Sequence, residues 1–176
     1  VILVPFLKIR PPAGGQGSLF VRQGATGEVR GTVANGGVMA LGSGAVLEVS
    51  GQLDNDGMLQ LRGAGTELRV LPSTAGSPAA EVLRNLDQGE IEISENALLH
   101  VAGRANIKGQ LTTSIGGRVV VDGGQFGVFG AVTGDGSFEQ LSGSTFVLGL
   151  LAQSTLTFSG GTVGGVGTLR GDVVFS

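Results

Sequence analysis

Short runs of alternating apolar and polar residues recur along the chain, separated by glycine-rich breaks. In "AVLEVSG" (residues 45–51), Leu47 and Val49 fall on one face and Glu48 on the other, the period-two signature of a half-buried strand. The runs are only three to six residues long. Strands that short make no stable sheet alone, but stacked at a fixed repeat they bury a continuous core. Residues 31–50 and 51–70 supply such a repeat: Gly31, Val33, Asn35, Gly37 and Leu41 reappear as Gly51, Leu53, Asn55, Gly57 and Leu61.

This spacing predicts an all-β fold, a parallel β-helix (β-solenoid) of about 20 residues per coil. Val33/Leu53 and Leu41/Leu61 would form apolar columns inside. Gly31, Gly37, Gly51 and Gly57 would serve tight corners, through positive φ or close backbone approach. Asn35 and Asn55 would sit at matching corners and ladder along the axis. About seven coils at ~4.8 Å each give a rod of about 35 Å. An antiparallel sandwich has similar local signals; the likeness between successive units favours the solenoid.

Residues 1–17 read as an N-terminal lead-in or cap segment, ending in the Pro/Gly break "RPPAGGQG". Residues 18–176 read as a single array, interrupted by an irregular insertion at 72–84. Within it, Ser77 before Pro78 is a helix-start signal and predicts one short helical insertion near 77–84. The pattern resumes with "LDQGEIEI" (86–93), an echo of "LDNDGMLQL" (53–61) with one residue deleted.

Composition narrows the function classes. The chain has 34 glycines, no cysteine, no tryptophan, no tyrosine and a formal charge of −3. Without a basic run or stacking aromatics, no nucleic-acid partner is expected. No disulfide framework or cysteine metal site is possible. The longest apolar run, residues 1–7, is too short to span a bilayer, and a membrane barrel would use Tyr and Trp at its interfaces, so no membrane insertion is expected. Because the chain begins without methionine, it is expected to be a mature or excised piece.

With the units aligned, "GTVANGGVMALGSGAVLEVSGQLDNDGMLQL" (31–61) resembles the Gly/Asn-punctuated repeats of autotransporter passengers and filamentous-haemagglutinin-like bacterial surface proteins. "LTFSGGTVGGVGTLRGDVVFS" (156–176) is similar to the passenger-associated repeat of autotransporters. The resemblance implies an extracellular, right-handed β-helix that presents a surface or a stalk, and it carries over no catalytic residues. Two departures stand out: no translocator barrel lies in these residues, and the array is short for a passenger.

Candidate chemistry is sparse. Asp54 and Asp56 flank Asn55, and with Glu48 of the preceding unit they would line one groove, as the carboxylates of a polysaccharide-active β-helix do; the preferred reading is plain turn chemistry, since "DNDG" is what a tight turn asks for. His100 is the single histidine, and its alternation with Leu99 and Val101 points it outward. No serine-nucleophile elbow is present, and "GGVGTLRGD" has Leu169 where a calcium-binding repeat needs aspartate. Neither cofactor nor metal is expected. Arg170, Gly171 and Asp172 spell a receptor-type tripeptide, placed by the repeat at an exposed corner.

Both ends read as strands, and no cap is evident at the C-terminus, where unpaired backbone groups would template association. The expected partners are therefore the chain itself, through end-to-end stacking or continuation of the solenoid, and a host or cell-surface ligand. The overall expectation is a non-catalytic structural or adhesive solenoid of a bacterial exported protein. The alternatives are a cytoplasmic β-helical scaffold polymer resembling bactofilins, through "IEISENALLHVAGRANIKGQL" (91–111), and a carbohydrate-active β-helix enzyme.

Overall fold

Three strands make one coil, and eight coils stack. The computed structural model describes residues 18–73 and 80–176 and the backbone of 6–9. The first column of strands is an eight-stranded sheet: Phe6–Ile9, Thr32–Asn35, Gln52–Asn55, Leu83–Asn85, Arg104–Ile107, Gln125–Val128, Ser144–Val147 and Thr162–Gly165. The second column climbs from Ser18–Val21 through Val38–Leu41, Met58–Arg62, Glu90–Ser94 and Gln110–Thr113 to Ala131–Gly134. The third climbs from Thr26–Val29 through Val46–Val49, Glu67–Val70, Leu98–Val101 and Arg118–Val121 to Ser137–Gln140. Both run onto one nine-residue strand, Leu150–Phe158, which pairs with Thr168–Phe175. The second and third columns are thus separated by a corner in the lower coils and fused in the last two.

The pairing is parallel and joins each strand to its counterpart in the next coil. Val33 lies opposite Leu53, Met39 opposite Leu59 and Leu41 opposite Leu61, so the chain is an all-β parallel solenoid with coils of about 20 residues. Register partners stand 20 residues apart at Val33 and Leu53, 19 at Val132 and Leu151, and 18 at Leu151 and Leu169. The coils therefore tighten toward the C-terminus.

The predicted helix is not there in the described residues. Positions 74–79 lie outside them, and 80–82 are irregular. Leu83–Asn85 is a strand whose Leu83 fills the column between Leu53 and Ala105. Helix propensity in "AAEVL" is a few tenths of a kcal/mol per residue, whereas burying Leu83 contributes about 1.5–3 kcal/mol. The predicted echo of residues 53–61 is also half corrected. Ile93 does pair with Leu61, but Leu53 pairs with Leu83 rather than Leu86. The corner after Asn85 is longer than the one after Asn55 and absorbs the difference.

Strand burial alternates, as in Gln52–Asn55 and Met58–Arg62, where every second residue is buried. Leu53, Leu59, Leu61, Leu68, Leu83, Ile91 and Leu99 fill the middle coils. Toward the C-terminus aromatics take over: Phe126, Phe138, Phe158 and Phe175 follow in series at centroid separations of 5.6, 5.7 and 5.4 Å, the first two pairs tilted and the last stacked.

Corners decide how closely coils approach. A glycine immediately precedes each second-column strand from Val38 onward: Gly37, Gly57, Gly89, Gly109, Gly130, Gly149 and Gly167. The next residue but one, as in Met39, Leu59 or Leu111, is the inward apolar one. Close approach is the reason for these glycines. A Cβ on Gly130 would fall 2.0 Å from the Lys108 carbonyl oxygen and 2.2 Å from that of Gly109. The corner between the second and third columns uses the other property of glycine. Gly24 has φ of +70° and open space around its Cβ position, and in the fourth coil Asn96 takes a similar conformation, φ 64°.

These two reasons separate by experiment. Gly24→Ala meets only the left-handed backbone cost, about 1–2 kcal/mol. Gly130→Ala must push two coils apart and is expected to cost about 3 kcal/mol or more. Denaturant unfolding of both variants checks the ordering, which would be reversed if corner dihedrals rather than coil spacing limited the fold.

Candidate functional site

The predicted corner residues assemble into a ladder along the inside of the first column. Asn35 Nδ2 donates to Asn55 Oδ1 at 2.7 Å, and Asn55 Nδ2 donates to Asn85 Oδ1 at 2.7 Å. Each amide also donates to the first carbonyl of the second-column strand one coil on: Asn35 to Met58, Asn55 to Glu90 and Asn85 to Gln110, all at 3.0 Å. The first rung's Oδ1 accepts from the Gly37 amide at 3.2 Å. All three side chains are buried, and every donor points toward the C-terminus. The ladder stops where Ile107 follows Asn85 in register.

Gly31 and Gly51, and Gly37 and Gly57, stack at the two corners that flank this ladder. A Cβ on Gly51 would meet the Gly31 oxygen at 2.0 Å, and one on Gly57 the Gly37 oxygen at 2.3 Å. Those same oxygens accept from Gln52 N and Met58 N, each at 2.8 Å. Asn85 is the ladder member that sequence reasoning missed, because the insertion puts it 30 residues beyond Asn55 instead of 20. The glycine directly before an alternating run, as at Gly89, was the signal that could have set its register.

On the outside, the expected acidic groove does not form. Asp54 projects from the first column, whereas Glu48 stands on the third. Asp54 is held side-on by one edge of the Arg84 guanidinium, with Nε donating to Oδ1 at 2.6 Å and Nη2 to Oδ2. That hydrogen bond raises the Arg84 pKa above its ordinary value.

The outer third column carries a charged groove of about 520 Å³, with Leu98 and Val120 among its apolar lining. Arg69 there bridges Glu67 at 2.8 Å and Glu48 at 3.0 Å, and these hydrogen bonds, Glu67's first, push its guanidinium pKa upward. His100 Nδ1 stands 3.6 Å from Glu67, and Arg118 bonds Glu139 at 2.8 Å. His100 faces outward into this groove. Its carboxylates are engaged by arginines of the same or a neighbouring coil, so the groove is a lattice of exposed pairs, each worth about 0.2–1 kcal/mol. Among the described residues, no group of three or more His, Cys, Asp or Glu is arranged to hold a metal ion.

Arg170, Gly171 and Asp172 lie inside the strand Thr168–Phe175, not at the predicted corner. Arg170 pairs with Ala152 and Asp172 with Thr155, and Gly171 stands at the irregularity between them with φ of +140°. All three are exposed. In the last two coils the corner is straightened into the strand, so the tripeptide is presented along a sheet edge.

No family model, no curated protein and no solved structure matches the chain.

The middle rung of the ladder has two measurable consequences. Asn55→Ala leaves the Glu90 carbonyl and Asn85 Oδ1 without their donor and opens a cavity, for an expected loss of about 2–4 kcal/mol in chemical denaturation. Asn55→Asp places a carboxylate among acceptor oxygens, so its folded pKa rises above the ordinary ~3.9. Both states are protonated below that value. As pH climbs through it, the unfolded chain ionises first and stability falls. The Asp variant should therefore lose stability between pH 4 and pH 7 relative to the parent; a parallel pH profile would show the ladder oxygen to be solvated.

Proposed function

We propose that this chain is a non-catalytic structural or adhesive module of an exported bacterial surface protein, and that its C-terminal coil seats a further coil, from continuing chain or from a second copy. The observation that carries this reading is the character of that coil. Between Glu139 and Arg170 the sequence holds no charged residue. The strands Thr162–Gly165 and Thr168–Phe175 each pair on one side only. The apolar columns run out into solvent there: Val173, in register with buried Leu156, is 41% exposed, and Phe175, stacked on Phe158, is 71% exposed.

An unpaired edge above an open core is a template for strand addition. A copy docked on it would make a heterologous contact, which propagates as a filament when the rotation does not close. The exterior supports the non-catalytic half of the reading, since Glu28, Glu48, Asp54, Glu67, Glu92 and Glu139 each pair with an arginine. The resemblance of residues 31–61 and 156–176 to surface passenger repeats supports the cellular setting.

Sedimentation velocity and negative-stain microscopy of the 176-residue chain test the contact. Concentration-dependent rods are expected, and Val173→Lys should raise the concentration needed for them tenfold or more while leaving the circular dichroism spectrum unchanged. A chain that stays monomeric at millimolar concentration would sink the stacking contact.

A further inference from the structure

A second feature lies away from that end, on the outer face of the first column. In register across three coils stand Asn106, Gly127 and Phe146. Adjacent parallel strands are about 4.8 Å apart, so Asn106 and Phe146 are separated by about 10 Å with a bare glycine between them. Phe129, from the following corner, reaches back into that gap. A Cβ on Gly127 would sit 2.7 Å from its ring atom Cε2 and 2.3 Å from Asn106 Oδ1. Glycine is therefore required for the ring to lie where it does.

The ring is not a core residue. Phe129 is 42% exposed and Phe146 is 48% exposed. Their backbone is firmly held, with the Phe129 and Gly130 amides both donating to the Ile107 carbonyl at 2.8 and 2.9 Å. Together with Arg104, Gln125 and Ser144 they line a cleft of about 160 Å³, below the ~300 Å³ at which drug-sized ligands begin. Its size admits a single ring.

We infer that this cleft binds one pyranose unit of a glycan, with the sugar's C–H face against Phe129 and Phe146 and its hydroxyls against Gln125 and Ser144, at a rim that Arg104 also lines. The chemistry selects this ligand. An apolar or aromatic side chain would cover the rings but strip water from the Gln125 amide and the Ser144 hydroxyl without replacing it. A pyranose offers an apolar face and a rim of donors and acceptors, matching aromatic rings that alternate with amide and hydroxyl groups. Asn106, whose Nδ2 is held by Glu81 Oε1 at 2.5 Å, is nearly buried and lines the cleft beside the Phe129 ring. The inference rests on the cleft alone and stands whether or not coils stack end to end.

Saturation-transfer-difference NMR of the full chain with D-galactose, D-glucose, D-mannose and N-acetyl-D-glucosamine tests it, since the method works for monomer and filament alike. At least one sugar should show transfer strongest at its ring C–H protons, with millimolar affinity. Phe129→Ala and Phe146→Ala should each reduce that transfer fivefold or more. Gly127→Ala, which keeps both rings but displaces Phe129, should do the same. Phe20→Ala, an exposed ring on the second column, should leave it unchanged, and circular dichroism should show every variant folded. The inference is overturned if none of the four sugars gives transfer, if transfer survives the Phe129→Ala/Phe146→Ala double variant, or if N-acetyl-phenylalanine amide displaces the sugar and binds these rings more tightly.

Discussion

The hydrogen bond from each coil to the next is the interaction on which the rest of the molecule depends. The strands are mostly four residues long, so none can hold itself together, and their ladders are completed almost wholly by residues about 20 positions away. That requires neighbouring coils to lie within hydrogen-bond reach at the corners as well as along the strands. Glycine is what makes the corners thin enough. Gly31 and Gly37 carbonyls receive the Gln52 and Met58 amides in the space that a side chain on Gly51 or Gly57 would occupy. The Asn35–Asn55–Asn85 ladder extends the same logic to side chains, because an amide both accepts from one coil and donates to the next.

Once the coils are locked at this spacing, the interior and exterior obey different rules. Inward positions must form columns of matched volume, and the shift from leucine in the middle coils to the tilted ring series Phe126, Phe138 and Phe158 above follows as coils shorten. In the sixth coil Gly134 replaces an inward side chain, and Gln153 of the seventh reaches past it to accept from Thr113 Oγ1 at 2.5 Å. Outward positions need only tolerate one another at about 4.8 Å. Unlike charges in adjacent coils therefore pair, as in Arg84 with Asp54 and Arg118 with Glu139.

This outer freedom is where function is available. The lower coils carry a screened lattice of ion pairs, while the upper coils carry exposed phenylalanine and valine and, between Glu139 and Arg170, no charge. The cleft at Phe129 and Phe146 arises from the same backbone constraint, because the glycine needed for neither core nor corner at position 127 leaves room for a ring to be laid on the sheet.

Much of the fold was legible in the chain because a solenoid repeats its local physics. The matched spacing of Gly31, Val33, Asn35, Gly37 and Leu41 with Gly51, Leu53, Asn55, Gly57 and Leu61 dictated coil length, strand register and inward faces, since each is a property of consecutive residues and one translation. Where the translation changed, reading failed. The insertion hid Asn85, made residues 77–84 read as a helix, and shifted the partner of Leu53 from Leu86 to Leu83. Which outward residues meet was decided only in three dimensions. Asp54 and Glu48 are six residues apart yet stand on different columns, while Asp54 and Arg84 are 30 apart and touch. Sequence determined what each residue does within its own coil; the tertiary stack decided neighbours across coils, because contact there depends on the summed length of every corner between them.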